Sequence, residues 1–141
     1  MRPVRQEDPF GCGIACVAFV TDISYEDSLK LFEDGKSKAK KVGFLCKEIV
    51  NALKFKGQIY EYKYVKIRYR KIIYNQNTIV FIKRSNKYPT GHYLVRANNK
   101  WMDPWINFPY ENAKAGFRKR LPGKPIYMIF PFAAAKKIFL A

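Results

Sequence analysis

Apolar residues in the first part of the chain follow helical spacing. The run from Cys12 to about Val20 is apolar almost all round, which predicts a helix at the centre of the fold. Ser24-Tyr-Glu-Asp27 has the form of a capping box and predicts a short second helix through Phe32. The polar, basic segment Gly35 to Lys41 is predicted to be a loop. A third helix ending at Gly57 is indicated by one apolar stripe, formed by Leu45, Cys46, Ile49, Val50 and Leu53.

The second half of the chain alternates as strands do. Asn98-Asn99 separates two such stretches and predicts a two-residue hairpin turn. Val65 to Tyr74 is compatible with either a strand or a short basic helix. Glu111 to Leu121 is predicted to be a basic helix. The tail to Ala141 has no pattern that predicts an element. The predicted strands are Gln58 to about Tyr64, Thr78 to Lys83, Gly91 to Ala97, Lys100 to Asp103 and Pro125 to Phe132. These elements predict an α+β fold, with N-terminal helices packed on an antiparallel sheet.

The composition is that of one folded domain covering residues 1–141. A hydrophobic content of 48% and an aromatic content of 16% argue against disorder. Three widely spaced cysteines imply no disulfide framework and favour a reduced, intracellular-type chain. The N-terminus lacks the apolar core of a signal peptide, and no apolar run approaches the roughly 20 residues of a membrane span. We therefore expect a cytoplasmic protein without a transmembrane segment, with a delivered effector as the alternative.

The net charge of +16 bears on which partners the protein could bind. It arises from 27 lysines and arginines against 11 acidic residues, and it makes anionic surfaces attractive partners. Tyrosines among the basic groups, such as Tyr62, Tyr64 and Tyr69, are compatible with nucleic-acid or membrane-surface binding. No nucleic-acid-binding motif is present. The favoured interpretation is a solvated basic surface that binds anionic surfaces weakly and has no specific nucleic-acid partner.

Cys12 lies between two glycines, at the point where a loop becomes a helix. The unpaired N–H groups and the positive dipole end of a helix start favour a thiolate there. Six residues upstream, Gln6 offers an amide donor that could share an oxyanion with the backbone N–H of Cys12. Cys12 is thus a candidate nucleophile, with a buried structural cysteine as the alternative. Cys16 and Cys46 fall on apolar faces and are predicted to be core residues.

The only histidine, His92, falls on the predicted hairpin. With Asn98-Asn99 as the turn, Leu94 pairs with Asp103, and His92 lies on the same face as Asp103. Diagonal neighbours of this kind are about 7–8 Å apart at the backbone, within reach of a His–carboxylate hydrogen bond. The spacing therefore predicts an imidazole oriented by a carboxylate. The alternative is a packed histidine and a turn-forming aspartate.

Four residues together supply the parts of a nucleophilic site. Such catalysis needs a thiolate, an imidazole that exchanges a proton with it, a group that orients the imidazole, and oxyanion donors. Cys12, His92, Asp103 and Gln6 supply one of each. One histidine and dispersed cysteines lack the spacing of metal ligands, so we predict no metal and no other cofactor.

The order of these residues resembles that of the papain-like thiol peptidases. Gln6 to Cys16 is similar to the N-terminal motif of the peptidase C39 family, and the stretches His92-Tyr-Leu-Val and Trp101-Met-Asp-Pro104 are similar to its second motif. The Gly43 to Gly57 helix also matches the position at which domains of this family carry a helix, so the resemblance covers nearly the whole chain. It departs at Gly11, where aspartate is common. The resemblance implies a papain-like α+β fold and cleavage of a peptide or protein substrate. Family members often cleave leader peptides after a double glycine, as domains fused to exporters, but without a transporter this substrate is not carried over.

Three functions stay open at this point. In the leading hypothesis the protein is a cysteine peptidase, in which Cys12 attacks a peptide bond and His92 protonates the leaving amine. In the second, the same residues perform another acyl transfer, such as deamidation, transglutamination or cell-wall amide cleavage by an effector toxin. In the third, the protein is a non-catalytic basic binder of nucleic acid or membrane. Thiol alkylation separates the third hypothesis from the others, and product analysis separates the first two.

Overall fold

Residues 2–133 are described by a computed structural model, in which four α-helices precede the sheet in the chain. The first helix begins at the candidate nucleophile and ends where Asp22 turns into the left-handed conformation. The second is capped by Ser24, whose Oγ accepts a hydrogen bond from the Asp27 N–H, as the capping sequence predicts, but it ends at Leu29, before Phe32. The helices are α1 (Cys12–Thr21), α2 (Tyr25–Leu29), α3 (Gly35–Lys41) and α4 (Cys46–Phe55).

The described residues form a six-stranded sheet in which every neighbouring pair of strands is antiparallel. The strand order across the sheet is β1-β6-β2-β3-β4-β5. The strands are β1 (Tyr60–Tyr64), β2 (Ile79–Ile82), β3 (His92–Ala97), β4 (Lys100–Asp103), β5 (Gly116–Arg118) and β6 (Pro125–Pro131). Helices packed on an antiparallel sheet confirm the predicted α+β class.

Both faces of the sheet are covered, because successive side chains of a strand point to opposite sides. In β3, Val95 packs into the core shared with α1 and α4, whereas Leu94 packs into a second core on the other face. This second core is closed by the 3₁₀ helix Ile67–Tyr74, whose Ile72 and Ile73 are buried. The stretch that was compatible with strand or helix is therefore a 3₁₀ helix on the face of the sheet opposite the α-helices.

The prediction of a loop at Gly35 to Lys41 is wrong, because these residues form α3. Lysine and alanine have good helix propensity, but only Ala39 in this segment is apolar and buried, so the sequence shows no helical stripe. Tertiary contacts hold the helix in place. The Ala39 carbonyl accepts a hydrogen bond from the Phe10 N–H, and Lys38 pairs with Glu48 of α4.

The prediction of a helix at Glu111 to Leu121 is also wrong. Residues Gly116–Arg118 form β5, which pairs with β4 at the edge of the sheet. Pairing with a preformed strand outweighs the helix propensity of the segment, and a three-residue strand is too short to show an alternating pattern. The tail that gave no prediction, residues 134–141, lies outside the described residues.

The hairpin of β3 and β4 has the predicted register. Val95 lies opposite Met102, and Ala97 lies opposite Lys100. Asn98 has a φ of 56°, a left-handed conformation that asparagine tolerates in tight turns. The same register places His92 diagonally across from Asp103.

Within residues 2–133, none of the helices combines the length and the apolar character that crossing a bilayer requires.

Two glycines with the same backbone conformation provide a test of the packing at the start of β3. Gly91 has a φ of 76° and Gly57 a φ of 75°. A Cβ at Gly91 would lie 2.1 Å from the Phe81 ring, whereas a Cβ at Gly57 would have no neighbour within 4 Å. We expect Gly57→Ala to lower the free energy of unfolding by about 1–2 kcal/mol through backbone strain alone, and Gly91→Ala to lower it by a further ~1–3 kcal/mol through overpacking.

Urea denaturation of both variants measures this difference. Equal losses of stability in Gly57→Ala and Gly91→Ala would contradict the close packing of Phe81 against the residue that precedes His92.

Candidate active site

The candidate nucleophile lies at a helix start whose first backbone donors have no partner among the described residues. No side chain caps α1 at Gly11, and the first N–H of this helix with an acceptor is that of Ala15, which donates to the Gly11 carbonyl. The N–H groups of the first turn therefore point outward at the positive end of the helix dipole. This arrangement stabilises negative charge on the Cys12 sulfur or on an oxygen bound beside it.

The three cysteines are all free and differ in exposure. Cys12 is half-buried, whereas Cys16 and Cys46 are buried in the core between the helices and the sheet, as their positions on apolar faces predict. Burial raises the pKa of the Cys16 thiol well above its usual value, and burial also raises the pKa of Cys46. Among the thiols, only Cys12 is placed to react with a molecule from solution.

His92 and Asp103 meet across the hairpin, as the register predicts. The His92 Nε2 and Asp103 Oδ1 atoms are 2.7 Å apart, and the two side chains are 5% and 0% exposed. Since Nε2 is held by the carboxylate, Nδ1 is the ring nitrogen left for another partner. Cys12 lies near the ring, close enough that its sulfur contributes to the raised pKa of His92.

The charge state of His92 follows from these neighbours. Burial by itself lowers the pKa of His92, but the Asp103 carboxylate and the Cys12 sulfur near the ring outweigh burial and raise the pKa to about 9. The ring is therefore protonated at neutral pH in this arrangement. A protonated imidazole is the partner that thiol nucleophiles use to stabilise negative charge on sulfur.

The Asp103 carboxylate is fully buried and has a donor on each oxygen. Oδ1 accepts from His92 and from the Trp105 N–H at 2.9 Å, and Oδ2 accepts from Arg118 Nη1 at 2.9 Å. Burial by itself raises the pKa of Asp103, but these hydrogen bonds and the charge of His92 hold it below its usual value. Asp103 is thus an ionised group of fixed orientation.

An aromatic stack fixes the plane of the imidazole. The Tyr88 ring is nearly parallel to the His92 ring at a centroid distance of 5.0 Å, and Phe108 stacks on the other side of Tyr88 at 5.0 Å. The Tyr88 side chain is buried, so its ring excludes water from this face of the histidine. The stack limits the imidazole to orientations that keep its edge on Asp103.

Gln6 lies beside the start of α1, but its amide protons are already used. Its Nε2 donates to the carbonyls of Asp8 and Pro9 at 3.0 and 3.2 Å, while its backbone N–H donates to the Pro104 carbonyl. Gln6 thereby ties the turn before Cys12, through its side chain, to the segment that follows Asp103, through its backbone N–H. The oxyanion role of Gln6 stays a prediction, since an oxyanion would have to displace one of these two carbonyls.

The structure accounts for glycine at position 11, where the resemblance leads one to expect aspartate. A Cβ on Gly11 would lie 2.0 Å from the Tyr25 hydroxyl oxygen. That hydroxyl donates to Asp8 Oδ2 at 2.8 Å. The Tyr25 side chain thus fills the volume that a side chain at position 11 would need, and it brings the Asp8 carboxylate to the turn before the nucleophile.

Two contributors to the site were missed from the sequence. Arg118 lies in the segment predicted to be a helix, and it reaches Asp103 only because β5 pairs with β4. Tyr88 lies in a loop four residues before His92, and no local pattern marks it as a stacking partner. Both contacts depend on long-range packing, and no signal in the sequence would have found them.

Among the described residues, no three His, Cys, Asp or Glu side chains converge as ligands for a metal ion.

Comparison with known proteins gives no match to a protein-family model and no match to a curated protein sequence.

Because Arg118 pairs with Asp103, we expect removal of the guanidinium to lower the free energy of unfolding by an amount that depends on pH. Arg118→Met keeps the aliphatic stem but leaves a buried carboxylate with one partner fewer, so we expect a loss of about 1–3 kcal/mol in unfolding free energy at pH 7. Asp103 has a depressed pKa, so the stability it contributes is present above its unfolded value of about 3.8 and is lost as the pH falls below it. The cost of Arg118→Met should therefore shrink in acid.

Urea unfolding of Arg118→Met at pH 7 and in acid measures this cost. Arg120→Met is the matched control, because Arg120 is exposed and forms no ion pair within the described residues. The control should stay within about 0.5 kcal/mol of the parent at both pH values. A cost for Arg118→Met that is independent of pH would show that Arg118 acts through packing and not through its charge.

Proposed function

We propose that this protein is a cysteine peptidase with a papain-like arrangement of its active residues, of the kind found in the peptidase C39 family. One observation carries the proposal. The His92 ring is held by the buried Asp103 carboxylate through Nε2 and lies near Cys12, which stands at an uncapped helix start. Nucleophile, proton carrier and orienting group are thus connected in the order that thiol-dependent acyl transfer needs.

In the acylation step, the Cys12 sulfur adds to the carbonyl carbon of the scissile peptide bond. The carbonyl π electrons move to the oxygen, which becomes an oxyanion, and collapse of this intermediate breaks the C–N bond. The protonated His92 ring gives its Nδ1 proton to the leaving amine. A thioester on Cys12 and a free amine remain. The raised pKa of His92 supports this step because it keeps the ring protonated at neutral pH.

In the deacylation step, a water molecule attacks the thioester. His92, now neutral, accepts a proton from this water through Nδ1, and the C–S bond breaks to release the acid and the thiolate. Throughout, Asp103 keeps the Nε2–H of His92 fixed and stabilises the imidazolium without taking its proton. The original ion pair is then restored.

The oxyanion needs preorganised donors near Cys12. The unpaired backbone N–H groups of the first turn of α1 are the donors that the geometry leaves free. Gln6 would add a second donor if the oxyanion displaced the Pro9 or Asp8 carbonyl from its Nε2. Gln6→Ala distinguishes these arrangements: removal of an oxyanion donor lowers kcat by about 10²–10³, whereas removal of a structural contact lowers the free energy of unfolding with little change in kcat.

A ranking of variants tests the site as a unit. With a fluorogenic peptide library as substrate, we expect Cys12→Ser and His92→Ala to abolish turnover, because each removes an atom that the reaction needs. Asp103→Asn should keep measurable activity, because an amide can still orient the imidazole. Cys46→Ser is the matched control for loss of a thiol, since Cys46 is buried against the Tyr93 hydroxyl and takes no part in the mechanism.

Mass spectrometry of the products identifies the reaction. Two shorter peptides indicate hydrolysis, whereas an intact peptide with a converted glutamine indicates deamidation or transglutamination by the same residues. The proposal is wrong if folded protein leaves the whole library uncleaved, or if Cys12→Ser retains the parent's activity.

A further inference from the structure

The net positive charge of this protein comes almost entirely from residues 62–141. Residues 62–141 carry seventeen lysines and arginines but only two acidic residues, Asp103 and Glu111. Residues 1–61 carry ten lysines and arginines against nine acidic residues and are thus almost neutral. Asp103 is buried and already paired, so it does not offset the surface charge around it. Such an asymmetry indicates a directed electrostatic surface and not a uniformly solvated one.

The fold gathers part of this charge on the face of the sheet opposite α1 and α4. The 3₁₀ helix Ile67–Tyr74 lies on that face and buries Ile72 and Ile73. Its charged residues point away from the second core, and the exposed ones are Arg68, Arg70 and Lys71. The loop between β5 and β6 adds Lys119, Arg120 and Lys124, which are also exposed.

A cleft lies between the 3₁₀ helix and this loop. It has a volume of about 250 Å³, and no acidic side chain lines it. We call it the basic cleft; its polar and aromatic lining residues are Arg70, Tyr74, Trp101, Lys119 and Arg120. Arg70, Lys119 and Arg120 form no ion pair within residues 2–133, so three cations face the cleft without a protein counter-charge.

An aromatic platform accompanies these cations. The Tyr74 side chain is 52% exposed, and its ring lies 6.1 Å from that of the buried Trp101. The Arg96 guanidinium lies over both rings, at 5.1 Å from Tyr74 and 5.0 Å from Trp101. One face of Tyr74 is thereby supported from within the protein. An exposed ring so supported, beside unpaired cations, is the combination that binds a stacked base and its phosphates.

We propose that the basic cleft binds single-stranded nucleic acid, with backbone phosphates on Arg70, Lys119 and Arg120 and a base stacked on Tyr74. The site lies on the opposite face of the sheet from α1, and it does not depend on peptidase activity. Binding is independent of sequence, because every base has a π face and the cations contact only phosphates. A lipid surface is the poorer fit, since a concave cleft with a supported ring admits a nucleotide better than a flat array of headgroups.

Fluorescence anisotropy with a labelled 12-nucleotide oligodeoxythymidylate tests this proposal between 50 and about 200 mM salt. For the double variant Arg70→Ala/Arg120→Ala we expect a loss of affinity of about tenfold or more. We also expect the slope of log affinity against log salt to become shallower by about 1.4, because each phosphate contact on a single strand contributes about 0.7. Tyr74→Leu should weaken binding about tenfold with the slope unchanged, whereas Tyr74→Phe should bind as the parent does.

The matched control removes two exposed cations from the helical face. Lys30→Ala/Lys54→Ala changes the net charge equally, and both residues line a separate depression beside α4. This variant should keep the affinity to within about twofold. Circular dichroism checks that each variant is folded.

Three results would overturn the proposal. Equal losses of oligonucleotide affinity in Arg70→Ala/Arg120→Ala and Lys30→Ala/Lys54→Ala would show that binding depends only on net charge. Equal affinities of Tyr74→Leu and Tyr74→Phe would show that no base stacks there. Binding to vesicles of phosphatidylserine and phosphatidylcholine that exceeds oligonucleotide binding, and that falls in Arg70→Ala/Arg120→Ala, would assign the cleft to membranes.

Discussion

A buried, ionised Asp103 is the constraint on which the candidate site depends. A carboxylate fully removed from water is costly unless each oxygen has charged or polar donors. Here β3 supplies His92, β5 supplies Arg118 and the chain just after β4 supplies the Trp105 N–H. Loss of any of these contacts leaves charge unsatisfied in the core, so the edge of the sheet and the orientation of the imidazole are stabilised together.

The same constraint sets the chemistry available at Cys12. Because Asp103 is ionised and holds Nε2, the other nitrogen of His92 is left for another partner and the ring stays protonated near neutral pH. The start of α1 contributes N–H groups that have no partner among the described residues. The cost of burying charge at Asp103 is offset by a cation that in turn favours negative charge on a nearby sulfur, so the contacts that stabilise Asp103 also set the electrostatics around Cys12. The basic cleft lies beside the same sheet edge, since Trp101 is opposite Arg118 and Lys119 and Arg120 follow Arg118, but none of its cations pairs with Asp103.

The elements that could be predicted from the sequence are those that a local pattern of residues determines. The apolar run after Cys12 and the asparagine pair at the hairpin fix a helix and a register, and the register is enough to bring His92 to Asp103. The helix α3 and the strand β5 were missed because both owe their structure to distant partners, Phe10 and Glu48 in one case and β4 in the other. Arg118 was missed with β5, and the stacking of Tyr88 on His92 was missed because a loop carries no periodicity. The oxyanion-donor role predicted for Gln6 depends on contacts that a sequence does not show, because the Gln6 amide already donates to the Asp8 and Pro9 carbonyls.

Titration of the single histidine by NMR measures the coupling of Cys12, His92 and Asp103. Because the chain has only one histidine, its imidazole Cε1–H signal needs no assignment. We expect an imidazole pKa of about 9 in the parent and a lower value in both Cys12→Ala and Asp103→Asn, since each variant removes a partner that raises the pKa of His92. A parent pKa of about 6.5 that does not respond to Cys12→Ala would show that the histidine is not coupled to Cys12.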